Sequence, residues 1–507
     1  MNILLITTDQ QRADSLGAYG NTVCKTPNLD RLAEGGTRFT GARCQNPYCQ
    51  PSRATILTGT YPSTHGVTTV GVDLPADMIN RSVAGILGER GYRTALFGKG
   101  YFASAFPTYP TRQTESVEGS ALVGPDWFGP YVGFDHAELV LFGHNIRLSP
   151  AMGAWNWSFG PPPFGLHYAR WLYRDGDGRG RERLRLMQPE AAVRSWPEIQ
   201  TWSNALPAED HPSTWIGDRA VDWLKRVEGP FFAWVSFCDP HHPMDPPEPW
   251  SGRYSPVDVA PVLPNLAADD LKTKPPVHKA WAAGLRGTPY EWANPGGSKL
   301  TPELLAIMTA AYFGMVSMID DQVGRILNVL DERNLADDTL VIFTSDHGEL
   351  LGDHQMLFKG PVHYEGLLRV PLIVRGAPYE VAAAVNDPVG LVDVAPTMLE
   401  AAGIEPPEWM EGRSLSVRPR EYVLTENDHE AGFRLSLRTL TTGRHKITRY
   451  VGREGVGELY DLEEDPGELV NLWGSSECWQ VRSRLLAMLD QATNRRVRAE
   501  PKVSVIG

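Results

Sequence analysis

The chain opens with the stretch Asn2-Ile3-Leu4-Leu5-Ile6-Thr7-Thr8-Asp9-Gln10, an apolar run that ends abruptly in polar residues. A short continuous apolar run predicts a strand that is buried on both faces, as in a parallel sheet. Helices predicted over 26–33 and 82–89 follow, and then a strand over 93–97. Strands that alternate with helices predict a doubly wound α/β sheet, in which ligands gather at the carboxyl ends of the strands. Asp9 stands at such an end.

Further apolar runs, over 230–237, 339–344 and 370–374, extend the predicted sheet. After them the sequence changes to shorter strand patterns separated by turns, and it closes with a helical pattern. The complete prediction is a large doubly wound mixed sheet flanked by helices, with a smaller C-terminal α+β domain that carries an antiparallel sheet. We place the catalytic domain at 1–412 and the smaller domain at 413–507.

Two segments rich in proline, glycine and aromatic residues, at about 102–212 and 249–298, interrupt this pattern. Long irregular segments of this kind build rims or lids more often than cores. The longest helical pattern covers 301–334. Asp320 and Asp321 inside it point in different directions, which favours a solvated or capping role over a metal site.

The bulk composition excludes several classes of protein. The 507 residues carry a net charge of −13, which argues against a nucleic-acid surface. The first apolar run is too short for a secretory leader, and no later run approaches membrane-spanning length. The five cysteines show no metal-type spacing, and the four other than Cys49 fit thiols in a reducing cytoplasm. We therefore predict a cytoplasmic protein that binds neither nucleic acid nor membrane. A homo-oligomer is also expected.

A second decisive stretch is Asn46-Pro47-Tyr48-Cys49-Gln50-Pro51-Ser52-Arg53-Ala54-Thr55-Ile56-Leu57-Thr58-Gly59, which is typical of a loop that leads into a short helix. Pro51 suits the first helical turn, and Gly59 suits the end. Cys49 would lie just ahead of the helix N-terminus, where unpaired N–H groups favour an anion. Arg53 follows four residues later, on the same helical face. A nucleophile, a helix N-terminus and a guanidinium together suit an anionic ester such as a sulfate or a phosphate.

Two strand ends carry pairs of candidate metal ligands, Asp9 with Gln10 and Asp346 with His347. An aspartate at a strand end is by itself more often a cap or a turn former. Together the two pairs offer four donors to one divalent cation. Oxygen ligands suit Ca²⁺, Mg²⁺ or Mn²⁺, and the imidazole shifts the preference slightly towards Mn²⁺.

Histidines and lysines in glycine- or proline-flanked loops are further candidates. His241 and His242 lie between prolines after the strand over 230–237, where an imidazole suits protonation of a leaving group. Lys99 has a glycine on both sides and Lys359 has one beside it. Glycine permits close approach of the backbone to a ligand, so both lysines are predicted to bind an anion.

These motifs together resemble the sulfatase family, which depends on formylglycine. Residues 49–59 are similar to its signature C-x-P-S-R-x-x-x-x-T-G. The resemblance covers nearly the whole chain and is weakest over 102–212. The other matching segments are Asp9-Gln10, Gly98-Lys99, Asp239-Pro240-His241-His242-Pro243, Ser345-Asp346-His347-Gly348-Glu349, Lys359 and Glu458-Leu459-Tyr460-Asp461-Leu462. The implied fold is that of the alkaline-phosphatase superfamily.

The resemblance implies that Cys49 is oxidised after translation to formylglycine, whose hydrate attacks the ester. A formylglycine-generating or other maturation enzyme is then an expected partner. The implied metal ligands are Asp9, Gln10, residue 49, Asp346 and His347. The family implies Ca²⁺, with Mn²⁺ or Mg²⁺ as alternatives. Arg53 would hold the nucleophile. Lys99 and Lys359 would bind the transferred group, and His241 would protonate the leaving alcohol.

The chain departs from the usual family pattern at three positions. Gln10 and His347 stand where many sulfatases have Asp and Asn. In these residues the chain is similar to the arylsulfatase, choline sulfatase and phosphonate monoester hydrolase branch. Tyr101 stands where a second histidine is usual, so the contacts to the leaving group differ. We include Tyr101 among the candidate substrate-binding residues.

The leading prediction is an arylsulfatase-like hydrolase that acts on a small anionic sulfate monoester and releases inorganic sulfate and an alcohol or phenol. The main alternative is a phosphonate monoester or phosphodiester hydrolase with the same nucleophile and metal. Two hypotheses from other classes stay open. One is a binding protein on an inactive scaffold, and the other is a metal-independent cysteine hydrolase in which Cys49 pairs with His241.

Overall fold

A computed structural model provides the structure of the chain. It describes residues 1–105, 107–109, 111–140, 165–264, 266, 270–283, 300–379, 383–417, 420–430, 434–494 and 497–504. Parts of both predicted rim segments, including 141–164 and 284–298, lie outside the described residues. The described part of 102–212 contains short helices and strands, so the prediction of an irregular segment there was wrong in part.

The described strands fall into one large sheet, one four-stranded sheet and two short pairs. In chain order they are β1 (Asn2–Thr8), β2 (Thr37–Phe39), β3 (Ala42–Arg43), β4 (Arg93–Gly98), β5 (His136–Leu139), β6 (Ser195–Trp196), β7 (Thr201–Trp202), β8 (Phe231–Ser236), β9 (Thr339–Ser345), β10 (Leu372–Arg375), β11 (Ala383–Val385), β12 (Val389–Gly390), β13 (Val423–His429), β14 (Leu435–Thr441), β15 (His445–Tyr450) and β16 (Gly457–Asp461).

The described α-helices are mostly short, with one long exception. In chain order they are α1 (Pro27–Glu34), α2 (Cys49–Thr58), α3 (Pro62–His65), α4 (Ala76–Ile79), α5 (Val83–Glu89), α6 (Val117–Ser120), α7 (His167–Leu172), α8 (Asp177–Leu186), α9 (Pro212–Leu224), α10 (Pro256–Val259), α11 (Pro276–Ala282), α12 (Pro302–Glu332), α13 (Glu365–Leu368), α14 (Val394–Ala401) and α15 (Trp479–Thr493).

The large sheet has the strand order β11-β2-β10-β9-β1-β8-β4-β5. Strand β1 lies near its centre, between the parallel strands β8 and β9. The side chains from Ile3 to Ile6 are fully buried, as the continuous apolar run predicts. Strand β10 runs antiparallel to its neighbours β9 and β2, which makes the sheet mixed. The predicted doubly wound mixed sheet is confirmed.

Helix α12 is the longest helix in the part of the chain that the structure describes. Thr301 is its N-cap and accepts a hydrogen bond from the Leu304 N–H at 3.2 Å. By length and composition alone the helix could cross a membrane, since its most apolar window has a mean hydropathy of 1.5. However, 72% of that window is buried inside the protein, as in a core helix. The expectation that no run approaches membrane-spanning length is therefore wrong for helix α12, as far as its length and composition are concerned.

Asp320 in helix α12 caps a different helix. Its carboxylate accepts hydrogen bonds from the N–H groups of Asn28 at 3.2 Å and Leu29 at 2.8 Å, in the first turn of α1. These N–H groups have no partner within their own helix, so a carboxylate there is favourable. The capping role predicted for Asp320 is confirmed, although the capped helix is distant in sequence.

Strands β13, β14, β15 and β16 form an antiparallel sheet in sequence order. One face of this sheet packs against helix α15, where apolar side chains of both elements form a cluster separate from the main core. Members of the cluster include Leu424, Leu440, Ile447, Leu485 and Leu489. The predicted smaller α+β unit with an antiparallel sheet is confirmed, and the boundary at residue 412 stays a prediction.

The carboxyl ends of four parallel strands bring the predicted site residues to one edge. Asp9 follows β1, Lys99 follows β4, His241 lies five residues after β8, and Asp346 follows β9. Residue Cys49 begins helix α2 at the same edge. In open α/β sheets this edge is where ligands bind.

Candidate functional site

Four potential metal ligands converge at the centre of this edge. One ligand atom each from Asp9, Cys49, Asp346 and His347 lies within 4.8 Å of the others, and all four residues are buried. The Cys49 Sγ lies 3.2 Å from the His347 Nε2 and 3.5 Å from the Asp9 Oδ1. The sulfur occupies the position that the formylglycine oxygens would occupy if the residue were converted. Two strands and one helix N-terminus thus supply a compact donor set.

Gln10, the residue after Asp9, offers a further candidate oxygen ligand beside this donor set. Its side chain is fully buried, and its backbone has a φ of 67°. Its Nε2 donates to the Glu349 carboxylate and lies 3.1 Å from the His242 Nδ1. Its Oε1 has no hydrogen-bond partner among the described residues. Because a buried polar atom rarely lacks a partner, the free oxygen is consistent with a bound cation, and the donor set fits one.

His347 has the ring orientation that a metal ligand needs. Its Nδ1 lies 2.8 Å from the carbonyl oxygen of Gly348 and donates to it, which leaves the Nε2 lone pair facing Cys49 and Asp9. Burial, followed by the charge of Lys359, lowers the pKa of His347 to about 4. The imidazole is therefore neutral and able to bind a cation.

Asp346 is held by several donors on both of its carboxylate oxygens. The Oδ1 accepts hydrogen bonds from the backbone N–H groups of Gln10 at 3.1 Å and His347 at 2.9 Å. The Oδ2 accepts one from the Arg53 Nε at 2.9 Å. The Ser52 hydroxyl donates to the Asp346 carbonyl oxygen at 2.5 Å. The loop after β9 is therefore tied to both β1 and helix α2.

Helix α2 is buried along its whole length, and Cys49 is 2% exposed. Burial, followed by the charge of Asp9, raises the pKa of the Cys49 thiol against the opposing charges of Lys359 and Lys99, and the net value is about 11. The Lys359 Nζ lies 2.8 Å from the Sγ and 3.0 Å from the His241 Nε2, so the lysine stands between the thiol and the imidazole. This geometry does not favour the direct cysteine–histidine pair of the metal-independent hypothesis.

Arg53 lies under the site with no exposed surface. Besides Asp346, its guanidinium contacts the carbonyl oxygen of Lys99 at 2.8 Å and the Ser236 hydroxyl at 2.7 Å, both through Nη1. Its Nη2 lies 3.6 Å from the Asp9 Oδ2 and has no hydrogen-bond partner among the described residues. Arg53 therefore fixes the two aspartates and retains one donor that faces the site.

Lys99 and Lys359 contact different members of the donor set, Lys99 the Asp9 carboxylate and Lys359 the Cys49 sulfur. The Lys99 Nζ donates to the Asp9 Oδ2 at 2.5 Å, and it lies 4.7 Å from the centre of the Tyr101 ring. Burial raises the pKa of Asp9, but the nearby positive charges, that of Lys99 first and then those of Lys359 and Arg53, offset this and hold it well below its ordinary value. Asp9 is therefore ionised, and three cationic side chains, Lys99, Lys359 and Arg53, lie in the site of a protein whose net charge is negative.

The backbone before Lys99 requires glycine. Gly98 has a φ of 97°, and a Cβ there would collide with the carbonyl oxygen of Ser236. This close approach lets the Lys99 N–H donate to the same carbonyl at 2.9 Å, which fixes the start of the lysine loop on β8.

The two adjacent histidines have different contacts. His241 faces Lys359 through Nε2, and its Nδ1 lies 2.6 Å from the His242 carbonyl oxygen. Burial, followed by the charges of Lys359 and His242, lowers the pKa of His241 well below its ordinary value. His242 instead contacts Gln10, and its ring stacks on that of His241 at 4.0 Å between centroids. The structure thus brings His241, the predicted proton donor, to the ester side of the site.

Two buried glutamates next to the site were not assigned any role from the sequence. Glu115 accepts hydrogen bonds from the N–H groups of Tyr101 at 2.6 Å and Phe102 at 2.7 Å, and from the Tyr131 hydroxyl. Tyr101 has a φ of 62°, so this carboxylate holds a strained turn. Glu115 lies in an irregular segment, where no sequence signal marks it. Glu349 lies inside the quoted motif that carries Asp346, which is a signal that could have found it.

Comparisons with known proteins agree with this geometry. The family model described as Sulfatase matches residues 1–404, and one described as N-sulphoglucosamine sulphohydrolase, C-terminal, matches residues 352–495. The chain is 30% identical over 504 residues to the uncharacterized sulfatase YidJ of Escherichia coli K12, covering 96% of this chain and 86% of that protein. It is 29% identical over 508 residues to an arylsulfatase of Clostridium perfringens, covering 94% of this chain and 91% of that protein.

A solved structure shares the whole architecture. The phosphonate monoester hydrolase of Agrobacterium radiobacter superposes with a TM-score of 0.74 at 26% sequence identity, covering 97% of this chain and 95% of that one. The similarity therefore extends through the C-terminal sheet as well as the large sheet.

Proposed function

Because the chain belongs to the sulfatase family of sulfuric ester hydrolases, we propose that it hydrolyses aryl-type sulfate monoesters with formylglycine at residue 49 and one divalent cation. The products are inorganic sulfate and an alcohol or phenol. The observation that carries this proposal is the convergence of Asp9, Asp346 and His347 with two lysines around Cys49. The cationic side chains of Lys99, Lys359 and Arg53 in this site would attract an anionic ester.

Asp9, Gln10, Asp346 and His347 together with residue 49 would hold the proposed cation, which would act as a Lewis acid on the sulfate group. His347 provides the neutral imidazole and Gln10 the neutral amide, which lowers the negative charge of the donor set. The imidazole favours Mn²⁺, whereas the amide oxygen also suits Ca²⁺, the ion that family resemblance implies.

The charged side chains around residue 49 neutralise and orient the sulfate group. Lys99 and Lys359 approach from two sides, and Arg53 keeps its free Nη2 donor on the Asp9 side. Groups that are already in position stabilise the charge of a transition state without reorganisation. The neutral His241 ring keeps its N–H on Nδ1, which donates to the His242 carbonyl oxygen, so its Nε2 would first take a proton from the Lys359 ammonium at 3.0 Å and then pass it to the leaving oxygen.

Conversion of Cys49 to formylglycine supports this chemistry because a sulfur nucleophile would leave a stable thio-adduct, whereas the hydrated aldehyde offers two hydroxyl groups. Conversion by a maturation enzyme is part of the proposal. Intact-mass spectrometry after co-expression with a formylglycine-generating enzyme should give a chain about 18 Da lighter. A protein that hydrolyses sulfate esters at its unconverted mass would contradict the assignment.

Hydrolysis of phosphonate monoesters or phosphodiesters is the second candidate. It is supported by Tyr101 in place of the usual histidine and by the similarity to a phosphonate monoester hydrolase. The two candidates are separated by kcat/KM on an aryl sulfate and on the matching aryl phosphonate monoester. A phosphonate preference above about tenfold, roughly 1.4 kcal/mol of transition-state binding, would overturn the sulfatase assignment.

A further inference from the structure

Glu349 stands behind the metal-ligand set, and its carboxylate contacts two parts of the site. One oxygen, Oε2, accepts the Gln10 Nε2. The other, Oε1, accepts the backbone N–H groups of Leu351 at 3.0 Å and Phe358. The side chain has no exposed surface, so these contacts are made away from water. A single carboxylate is therefore shared between a predicted metal ligand and the loop that leads to Lys359.

The contact with Gln10 fixes which end of the amide faces the ligand set. A carboxylate has only acceptors, so it binds the amide NH₂ and repels the amide oxygen. The Gln10 Nε2 is turned towards Glu349 and His242, and the Oε1 is left without a partner among the described residues. An amide in the opposite orientation would present NH₂ groups, which cannot bind a cation.

The contact with the loop fixes the position of Lys359. Phe358 has a φ of 63°. Its N–H donates to the Glu349 carboxylate, and its carbonyl oxygen accepts the Leu350 N–H. These bonds close the loop over 350–358 immediately before Lys359. The lysine Nζ then lies within 3.2 Å of the Cys49, His241 and His347 side chains.

Glu349 is itself rigidly placed. Its N–H donates to the Gly366 carbonyl oxygen at 3.0 Å, and its own carbonyl oxygen accepts the Arg12 Nη1 at 2.8 Å. The Tyr312 hydroxyl donates to the Gln10 carbonyl oxygen at 2.9 Å and accepts the Arg12 N–H at 2.9 Å. Outer partners of this kind orient metal ligands and change metal affinity when they are removed.

We propose that Glu349 is a positioning residue that presents the Gln10 oxygen to the metal ion and holds the Lys359 loop closed. The inference rests on the proposed function, because it assumes a cation between Gln10 and residue 49. Glu349 contacts neither the ester nor the cation in this proposal. Its effect passes through Gln10 on one side and through Lys359 on the other.

Two substitutions separate these effects. Glu349→Gln can keep an oxygen on the Leu351 and Phe358 N–H groups, but its NH₂ then faces Gln10 and inverts that amide. We expect Mn²⁺ affinity to fall about tenfold to a hundredfold, while KM for an aryl sulfate at saturating Mn²⁺ stays unchanged. Glu349→Ala removes both contacts, so KM should stay raised even at saturating Mn²⁺.

A compensating change supplies the decisive test. In the double variant Gln10→Glu with Glu349→Gln, the new carboxylate accepts the new amide and offers its second oxygen to the cation. Mn²⁺ binding is measured by isothermal titration calorimetry on full-length, metal-free protein. We expect the double variant to recover most of the lost affinity. Asp320→Asn, which alters a buried carboxylate outside the site, is the matched control and should bind like the unchanged protein.

The outcomes separate failure of this inference from failure of the proposed function. If the unchanged protein binds no Mn²⁺ or Ca²⁺, both are overturned. If it binds Mn²⁺ and Glu349→Gln binds equally well, or if the double variant gives no recovery, only the positioning role is overturned. Folding is checked by circular dichroism of the metal-free proteins. If Glu349→Gln fails to fold and the double variant folds and binds Mn²⁺, the pairing is supported. If neither folds, Glu349 is a folding determinant and the proposal is wrong.

Discussion

Two buried polar clusters in this protein look alike in composition and differ in how completely their hydrogen bonds are satisfied. The first is the metal-ligand edge around residue 49. The second, which we term the C-terminal polar network, joins helix α11 to the antiparallel sheet through His278, Tyr364, Tyr450, Glu458, Tyr460 and Lys274. Most side chains of both clusters are buried, and polar groups without partners are unfavourable there.

The C-terminal polar network is closed. His278 lies between the hydroxyl groups of Tyr364 at 2.5 Å and Tyr450 at 2.6 Å. Glu458 accepts from Tyr450 at 2.7 Å and from Tyr460 at 2.6 Å. At the metal-ligand edge, by contrast, the Gln10 Oε1 and the Arg53 Nη2 have no hydrogen-bond partner among the described residues. A satisfied network indicates a structural role, and an unsatisfied one indicates a ligand.

Metal removal should give the largest difference between the two clusters. Chelation of the matured enzyme is expected to lower sulfate ester hydrolysis by more than about a thousandfold, because a bound cation supplies several kcal/mol of transition-state stabilisation. The chain should stay folded, since the C-terminal polar network needs no ion. Activity assays and melting curves before and after addition of Mn²⁺ or Ca²⁺ measure both effects. Full activity in the presence of chelator would revive the cysteine hydrolase hypothesis.

Two buried lysines provide a matched pair for the next test. Lys99→Ala removes the ammonium beside Asp9 and should lower kcat/KM about a hundredfold to a thousandfold, as for loss of one positioned donor. Lys274→Ala removes a donor to Tyr460 and should lower the melting temperature with little change in kcat/KM. The distinction between the clusters is wrong if both variants change kcat/KM to the same extent.

A substitution within the C-terminal polar network should affect stability first. Glu458→Gln keeps the shape but removes the charge that accepts two tyrosine hydroxyls, which we expect to lower the free energy of unfolding by about 1–3 kcal/mol. Urea unfolding measures this loss. The kcat/KM of the folded variant should stay at the level of the unchanged protein, and a large fall in kcat/KM would give the network a role in the site.

Glu458 should also make the free energy of unfolding depend on pH, and we expect this to be the smallest of the four effects. Burial raises the pKa of Glu458, but His278 and the tyrosine hydroxyls offset this and hold it well below its ordinary value of about 4.3. The carboxylate therefore adds stability above that pH and loses it as the pH falls through the lower, folded-state pKa. The difference in unfolding free energy between the unchanged protein and Glu458→Gln should shrink below about pH 4. A difference that stays constant would contradict this.

The central strands of the large sheet were predicted well, because each is marked by an apolar pattern within its own few residues. The runs that became β1, β4, β8, β9 and β10 are short, apolar and continuous, and each lies within a few residues of the predicted bounds. The described part of 102–212 was harder, because its helices α7 and α8 are short and depend on tertiary packing.

The sequence indicated which residues belong to the candidate site. It indicated much less about how those residues contact one another. Positions at strand ends located Asp9, Lys99 and Asp346, because parallel strands end at one edge. The placement of Lys359 between Cys49 and His241 depends on a loop closed by Glu349, and sequence spacing does not encode such contacts. The unpartnered oxygen of Gln10 likewise becomes visible only once its neighbours are known.

The burial of helix α2 bears on when the proposed conversion of Cys49 can take place relative to folding. All ten of its residues lie inside the folded protein, and Cys49 lies beneath two lysines. Under the proposed conversion, we therefore expect the maturation enzyme to act on this segment before it folds, during or soon after synthesis. A molecule that folds first should then keep its thiol. We expect the active fraction of a preparation to depend on the relative rates of folding and of Cys49 conversion. Addition of the maturation enzyme to the folded protein should not raise that fraction.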